Sequence, residues 1–163
     1  MTEFDHAFIA PVLLSRGGMT AHKLPLPEAV DADVRAAPTR RVIGTLNGEP
    51  FRAAVHSSQE DPFLFLMLSK RRMRDLDLEM GALVEVEMSV DPDPDFVETG
   101  DELAAALDAD ADAREVWEGL TPGVRRGIAY TVTSAKRVQT RESRAADTVR
   151  RLRDGTHPRL RRR

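Results

Sequence analysis

The chain has 163 residues, of which 41% are hydrophobic and 31% charged, with a net charge of −3 and no cysteine. This is an ordinary globular composition, and it excludes disulfides, thiolate metal sites and cysteine nucleophiles. No stretch approaches the ~20 apolar residues of a membrane helix, and Glu3 and Asp5 stand where a signal peptide would carry basic residues, so we expect a cytoplasmic protein.

The first ninety residues predict β-structure. The segments "HAFIAPVLL" (residues 6–14) and "MTAHKLPL" (residues 19–26) are typical of strands, and the glycines of "SRGG" between them suit a turn that would pair them. A short helix is predicted at "PEAVDADVR" (residues 27–35).

A hairpin is predicted in "RVIGTLNGEPFRAAV" (residues 41–55), because Asn47 and Gly48 supply the positive φ angles of a type I′ turn. This turn sets the register, with Leu46 opposite Glu49 and Gly44 opposite Phe51, where the missing side chain leaves room for the ring. Because side chains alternate along a strand, one face is apolar. Its members are Val42, Leu46, Phe51, Ala53 and Val55.

Two more strands follow. The apolar run "PFLFLMLS" (residues 62–69) predicts a strand buried on both faces, and "ALVEVEMSV" (residues 82–90) alternates between valine or methionine and polar residues. Between them, "KRRMRDLDL" predicts a short helix ending at Gly81. Six strands in ninety residues predict a small closed or pseudo-closed barrel.

The pattern becomes helical after the extended connector "DPDPD" (residues 91–95). Thr99 and Glu102 have the spacing of a capping box, and Thr121 followed by Pro122 predicts the start of another helix. The last predicted helix ends at Gly155. Its apolar face consists of Ala145, Val149 and Leu152.

We therefore predict a β-barrel domain (residues 1–92), a linker (93–98), a helical segment (99–155) and a basic tail (156–163). Residues 135–163 hold eleven Arg or Lys and three Asp or Glu, a net of +8, which leaves −11 on the rest. Such segregation is typical of a basic tail for nucleic acid or an acidic membrane, and equally of a segment packed on its own acidic body. We favour the second interpretation.

The polar cluster "AKRVQTRESR" contains the candidate binding residues Lys136, Thr140, Arg141 and Arg144. Lys136 is predicted to end one helix and Thr140 to cap the next. One interpretation is an anion-binding patch for phosphate, nucleic acid or a lipid headgroup. The other, which we favour, is that these residues cap helices and form salt bridges that dock them.

Other chemistry has little support in the sequence. The four histidines are scattered, so no metal site is predicted, and "DPDPDFVETGDE" departs from a calcium loop because Phe96 stands where glycine is needed. No nucleophile, P-loop or dinucleotide motif is present, so we name no catalytic residue and expect no cofactor. Arg52 and His22 remain a candidate site in the barrel interior.

Three stretches carry a resemblance that covers nearly the whole chain. They are "VIGTLNGEPFRAAV", "FLFLMLSKRRMRDLDLEMGALVEVEM" and the segment from "DELAAAL" to "VRRLRDG". With the motifs G-x-x-N-G-x-x-x-R and A-K-x-x-x-T-R-x-x-R, the chain resembles the bacterial YdeI/OmpD-associated family, also called bacteriocin-protection proteins. The resemblance implies a double-split β-barrel of unknown function followed by helices. It also implies no established enzyme activity, and an association with outer-membrane-protein and envelope-stress phenotypes.

The predicted fold class is therefore α+β, a small N-terminal double-split-type β-barrel followed by C-terminal α-helices. We expect a non-enzymatic binding or stress-associated protein with an unknown partner, as a monomer or homodimer. Two alternatives stay open. One is a nucleic-acid-associated protein that uses the Arg-rich helices and tail, and the other is a small-molecule binder or enzyme that uses the barrel interior.

Overall fold

The computed structural model describes residues 3–15 and 21–160. The chain divides into two units, Met1–Pro94 and Asp95–Arg163. The first contains a nearly closed antiparallel barrel and the described residues of the second form helices and no strand, so the predicted α+β class, a barrel followed by helices, is confirmed. Within the described part of the chain, no helix is long and apolar enough to cross a membrane.

The barrel sheet has the order β1-β7-β4-β5-β6-β3-β2. Its strands are β1 (His6–Pro11), β2 (Leu13–Leu14), β3 (His22–Pro25), β4 (Arg41–Leu46), β5 (Glu49–His56), β6 (Phe65–Leu68) and β7 (Leu83–Val90). Helices α1 (Glu28–Ala36) and α2 (Lys70–Asp75) interrupt them. The predicted end of α2 at Gly81 is wrong, because the chain leaves the helix at Leu76 and enters a left-handed conformation at Asp77 (φ 50°).

One stretch of chain lies at both ends of the sheet. β1 pairs with β7, and β2, which follows after Val12, pairs with β3. Val12 bridges this bend, since its N–H donates to Ala82 O (2.8 Å) and its O accepts from Gly81 N–H (2.8 Å). The strand predicted over residues 6–14 is therefore divided, which gives seven strands among the described residues where six were predicted.

The predicted partner of this stretch is only partly right. Leu13 and Leu14 pair with Lys23 and His22, but residues 6–11 pair with β7 instead. The bend at Val12 carries them away from β3. Of the predicted turn "SRGG", residues 16–18 lie outside the described residues.

The hairpin is confirmed in register, with Leu46 opposite Glu49 and Gly44 opposite Phe51. Asn47 (φ 49°) and Gly48 (φ 83°) take the predicted left-handed conformations. Gly44 serves a different neighbour from the predicted one, because a Cβ there would lie 1.9 Å from Glu87 O on β7. The absent side chain therefore lets the β4 and β7 backbones pair closely.

Apolar side chains fill the barrel interior. The alternation predicted for β7 is confirmed at Val84, Val86 and Met88, which are buried among the core side chains of the other strands. The double-sided burial predicted for β6 holds at Phe65 but is wrong at Met67, which is 40% exposed. A buried cation also lies on this sheet, where Lys23 Nζ donates to Asp61 Oδ1 at 2.5 Å.

The second unit contains α3 (Asp101–Asp108), α4 (Ala111–Glu118), α5 (Pro122–Thr133) and α6 (Val138–Asp154) around its own apolar core. The Thr121 cap of α5 is confirmed, as are the end of α6 at Gly155 and its buried face. The predicted capping box is wrong. Gly100 occupies the N-cap of α3 with φ 78°, and the Thr99 hydroxyl donates to Val97 O.

The close approach at Gly44 makes a prediction about stability. Gly44→Ala would drive a methyl group into the β7 backbone, and we expect it to cost more than about 3 kcal/mol, the upper end of overpacking effects. Gly48→Ala is the control, because nothing lies within 4 Å of its Cβ position and only the positive φ is penalised, by about 1–2 kcal/mol. The measurement is hydrogen exchange of β4 and β7 amides in urea. An equal cost for both variants would contradict this account.

Candidate functional site

Helix α6 is the central element of the helical unit, since it contacts α3, α4 and α5. Ala145, Val149 and Leu152 are buried in the shared core. They recur at intervals of three or four residues and so form one stripe of the helix. Arginines lie on both sides of this stripe. Their positions determine which parts of the other helices lie next to a positive charge.

Arg141, a predicted binding residue, is tied to its own fold. Its Nε lies 2.8 Å from Glu102 Oε1 on α3, and its Nη1 donates to the carbonyls of Ala135 (3.1 Å) and Lys136 (3.0 Å). The hydrogen bond from Arg141 holds the pKa of Glu102 below its usual value. Arg141 thus joins α6 to α3 and satisfies carbonyls just beyond the end of α5.

The other members of the predicted patch do not gather around Arg141. Lys136 is exposed between α5, which ends at Thr133, and α6. Thr140 lies inside the first turn of α6, whose N-cap is Arg137. The predicted capping roles of Lys136 and Thr140 are therefore wrong, because both helix ends lie two or three residues earlier than expected.

Arg144 lies beside a groove of the helical unit, and its Nη1 donates to Thr131 O at 2.9 Å. We call this recess the basic groove; it has a volume of about 810 Å³. Three elements form it: the end of α5, one side of α6 and the segment after α6. The lining residues are Tyr130, Thr131, Ser134, Ser143, Arg144, Asp147, Thr148, Arg151, His157, Pro158 and Arg159.

The segment after α6 turns back to form one wall of the groove. Gly155 adopts φ 71°, and the N–H groups of Thr156 and His157 then donate to Arg151 O (2.9 and 3.2 Å). The N–H of Leu160 donates to His157 O at 3.0 Å, and its side chain packs on the helical core. This is a helix ending stabilised by a left-handed glycine followed by an apolar contact.

Arg159 is positioned by this turn. Its guanidinium lies against the backbone of Gly127 on α5, where a Cβ would be 2.7 Å from Nη1. Because Gly127 has no side chain, the cation can lie flat on the helix. The basic groove therefore receives charge from two turns of α6 and from the C-terminal segment.

The carboxylate of Asp147 partly neutralises the positive charge at the basic groove. Asp147 Oδ2 lies 2.8 Å from Arg151 Nε, and its other oxygen contacts Arg150. These two arginines lower the pKa of Asp147, with the Arg150 hydrogen bond the largest cause.

His157 is held in a neutral form. Its Nδ1 accepts the Arg159 backbone N–H at 3.2 Å, so the ring proton belongs on Nε2. Burial lowers the pKa of His157, the charges of Arg151 and Arg159 lower it further, and Asp147 opposes them. The ring therefore supports the turn without adding positive charge to the groove at neutral pH.

The second predicted site is not assembled. His22 shares the face of Leu24 inside the barrel, whereas Arg52 alternates with Phe51 and points to the opposite face. Arg52 instead grips the buried carboxylate of Asp91, with Nε 2.9 Å from Oδ2 and Nη2 3.2 Å from Oδ1. Arg52 and His22 therefore do not converge on one interior site.

Sequence reasoning missed Arg151, Arg159, His157 and Tyr130. Arg144 and Arg151 are seven residues apart, which places them on one side of a helix, and that spacing could have linked them. No local pattern shows that residues 157–159 return to α5. Among the described residues, no group of His, Asp or Glu is arranged to hold a metal ion.

Comparison with known proteins gives two family matches. Residues 8–88 match a domain of unknown function (DUF1905). Residues 97–155 match OmdA, described as "Bacteriocin-protection, YdeI or OmpD-Associated". No curated protein matches the chain. The second match includes most of the basic groove but ends at Gly155, before the turn that carries His157 and Arg159.

The neutral His157 makes stability depend on pH. Above its ordinary pKa of 6.5, the ring is neutral in both folded and unfolded chains. Because the folded pKa is lowered, the unfolded chain takes up the proton first as pH falls below that value, and the helical unit loses stability until the folded ring also protonates. We expect His157→Gln to flatten this dependence.

The test follows urea unfolding by fluorescence of Trp117, the only tryptophan, which is buried in the helical core. Midpoints would be compared from about pH 7.5 to about pH 5.5, the range in which histidine titrates. The lowered pKa values of Glu102 and Asp147 keep these carboxylates ionised there. Equal slopes for wild type and variant would refute the assigned role of His157.

Proposed function

The chain belongs to the YdeI/OmpD-associated bacteriocin-protection family, with an N-terminal domain of unknown function, and since the family's biochemical role is undefined we propose a function from the site itself. The protein is a non-enzymatic binding protein that takes up an anionic ligand in the basic groove. The observation that carries this proposal is the convergence of Arg144, Arg151 and Arg159 on one recess.

The groove's other polar groups support anion binding. Four further lining residues carry hydroxyl groups, namely Tyr130, Ser134, Ser143 and Thr148, and hydroxyls donate readily to anionic oxygens. Arginine presents five N–H donors in a planar fork that suits carboxylate and phosphate. The three arginines outnumber the one acidic residue of the lining, Asp147.

The environment of the two groove residues that could move protons supports binding over catalysis. Asp147 is paired with Arg150 and Arg151, which keep it ionised. His157 uses Nδ1 to accept a backbone N–H of its own turn. A general base works best with a pKa near the operating pH, whereas the pKa of Asp147 is lowered, and the Nδ1 lone pair of His157 is already used in the fold.

We also propose that this binding takes place in the cytoplasm, in the stress-associated setting that the family resemblance implies. The absence of cysteine from the chain fits a reducing compartment. The envelope-stress association and a small anionic ligand are compatible, because a metabolite can report a stress that arises elsewhere.

Arg144→Gln tests the proposal. Loss of a charged hydrogen-bond donor is worth about tenfold or more in affinity, so we expect weaker binding of pyrophosphate by isothermal titration calorimetry. Arg137→Gln is the matched control, because Arg137 is an exposed arginine at the start of the same helix and does not line the groove.

Because Arg144 also contacts Thr131, the fold of the variant is checked through Trp117 fluorescence. Arg159→Gln, which alters the groove from a different element, provides a second variant. If both groove variants bind as tightly as the control, the groove is not the binding site.

A second candidate function is nucleic-acid binding, favoured by the arginines that end the sequence as "RLRRR". Arg150 and Arg153 on α6 are also exposed. Against it, only 5% of residues are aromatic, which is few for base-stacking surfaces. Arg150 and Arg153 do not line the basic groove, whereas Arg159 of this run does, so the two functions are separated by removing only the arginines that follow Leu160.

Truncation after Leu160 separates them, since it removes three arginines and none of the described residues that line the groove. We expect pyrophosphate binding to be unchanged. Binding to random duplex DNA would be measured for both chains across a salt series, because phosphate-backbone contacts weaken steeply with salt. Salt-sensitive DNA binding that disappears with the tail would establish the second function, and its absence at low salt would remove it.

A further inference from the structure

We propose that the ligand of the basic groove carries a phosphate group, and that this group binds by taking Arg151 away from Asp147. The inference rests on the proposed function and adds two things to it: the chemical class of the ligand, and an exchange of ion-pair partners within the site. Without ligand, the Asp147 carboxylate is the counter-ion of Arg151, and the phosphate group of the ligand replaces it.

The number of donors favours phosphate over carboxylate. One arginine can satisfy both oxygens of a carboxylate through its paired N–H groups, so a single carboxylate does not need three arginines. A phosphate monoester has three terminal oxygens and a charge near −2. It can therefore engage Arg144, Arg151 and Arg159 together with the hydroxyls beside them.

The shape of the recess favours a small phosphorylated molecule over a polymer. Its volume of about 810 Å³ lies within the range of about 300–1,000 Å³ that small-molecule sites occupy. Tyr130, which is 56% exposed, lies on the groove's lining and offers an aromatic surface to the rest of such a ligand. A phosphodiester chain would instead need a continuous basic track.

The exchange follows from how Asp147 is placed. It lies three residues after Arg144 and four before Arg151, so the carboxylate occupies the same side of α6 between the two cations. Its contact with Arg151 is close, at 2.8 Å, but both side chains are more than a third exposed, so water and a ligand can reach the pair. A phosphate oxygen in the groove can therefore accept a guanidinium N–H of Arg151 in place of the carboxylate oxygen.

Arg150 lowers the free-energy cost of moving Arg151 from Asp147 to the phosphate. It contacts the other oxygen of Asp147 and does not line the groove. When Arg151 turns to the phosphate, Asp147 keeps this partner, and nearly half of its side chain is exposed to water. The carboxylate is therefore not left buried and unpaired, which would be the main cost of the exchange.

The test measures binding of inorganic phosphate to the full chain by calorimetry, with acetate and chloride at equal ionic strength. Asp147→Asn removes the internal competitor, and we expect phosphate to bind about two- to fivefold more tightly, the range expected for an exposed ion pair. Asp154→Asn is the matched control, because it removes the same charge from the same helix, away from the groove lining.

Arg151→Gln completes a double-mutant cycle. If Asp147 weakens phosphate binding by pairing with Arg151, Asp147→Asn no longer tightens phosphate binding when Arg151 is also replaced by Gln. Equal gains for Asp147→Asn and Asp154→Asn would overturn the exchange, as would a gain that persists in Arg151→Gln; both leave the proposed function standing. Acetate binding as tight as phosphate binding would overturn the ligand class. If no anion binds to wild type or to Asp147→Asn, the inference and the proposed function fail together.

Discussion

The helical unit depends on the way α6 is anchored. This helix buries a narrow apolar stripe, and the arginines beside the stripe supply the remaining ties to its neighbours. Arg141 reaches Glu102 on α3, Arg144 reaches the Thr131 carbonyl on α5, and Arg153 reaches Asp110 at the start of α4. A chain segment that looks like a basic arm in the sequence is therefore a structural centre.

This arrangement explains why the groove is basic without being a simple charged surface. Each arginine of α6 has a carboxylate or carbonyl partner, so positive charge is held in fixed places and not spread along a flexible arm. The C-terminal turn then closes the recess from a third side. That wall depends on two features of the backbone. Gly155 adopts a left-handed conformation, and Gly127 has no side chain at the place where the Arg159 guanidinium lies.

Features set by neighbouring residues were predictable from the sequence, whereas contacts between residues far apart in the chain were not. The turn at Asn47 and Gly48 sets its own register, and the alternation along residues 82–90 identifies their buried face without knowledge of the partner strand. In contrast, no local signal links Arg141 to Glu102, because 39 residues separate them. For the same reason the groove was only partly predicted: Arg144 was identified, but Arg159 joins it only after a turn that reverses the chain.

The divided first strand has a consequence for how the barrel forms. Residues 6–11 are synthesised well before their partner β7, which begins only at Leu83. During synthesis β1 therefore has no partner strand, and Phe8 and Ala10 stay unpaired, until some eighty further residues have been added. Such non-local pairing slows folding and exposes strand edges. The helical unit follows β7 in the sequence, so the strand edges left unpaired during synthesis belong to the barrel, and the barrel is the unit exposed to aggregation at that stage.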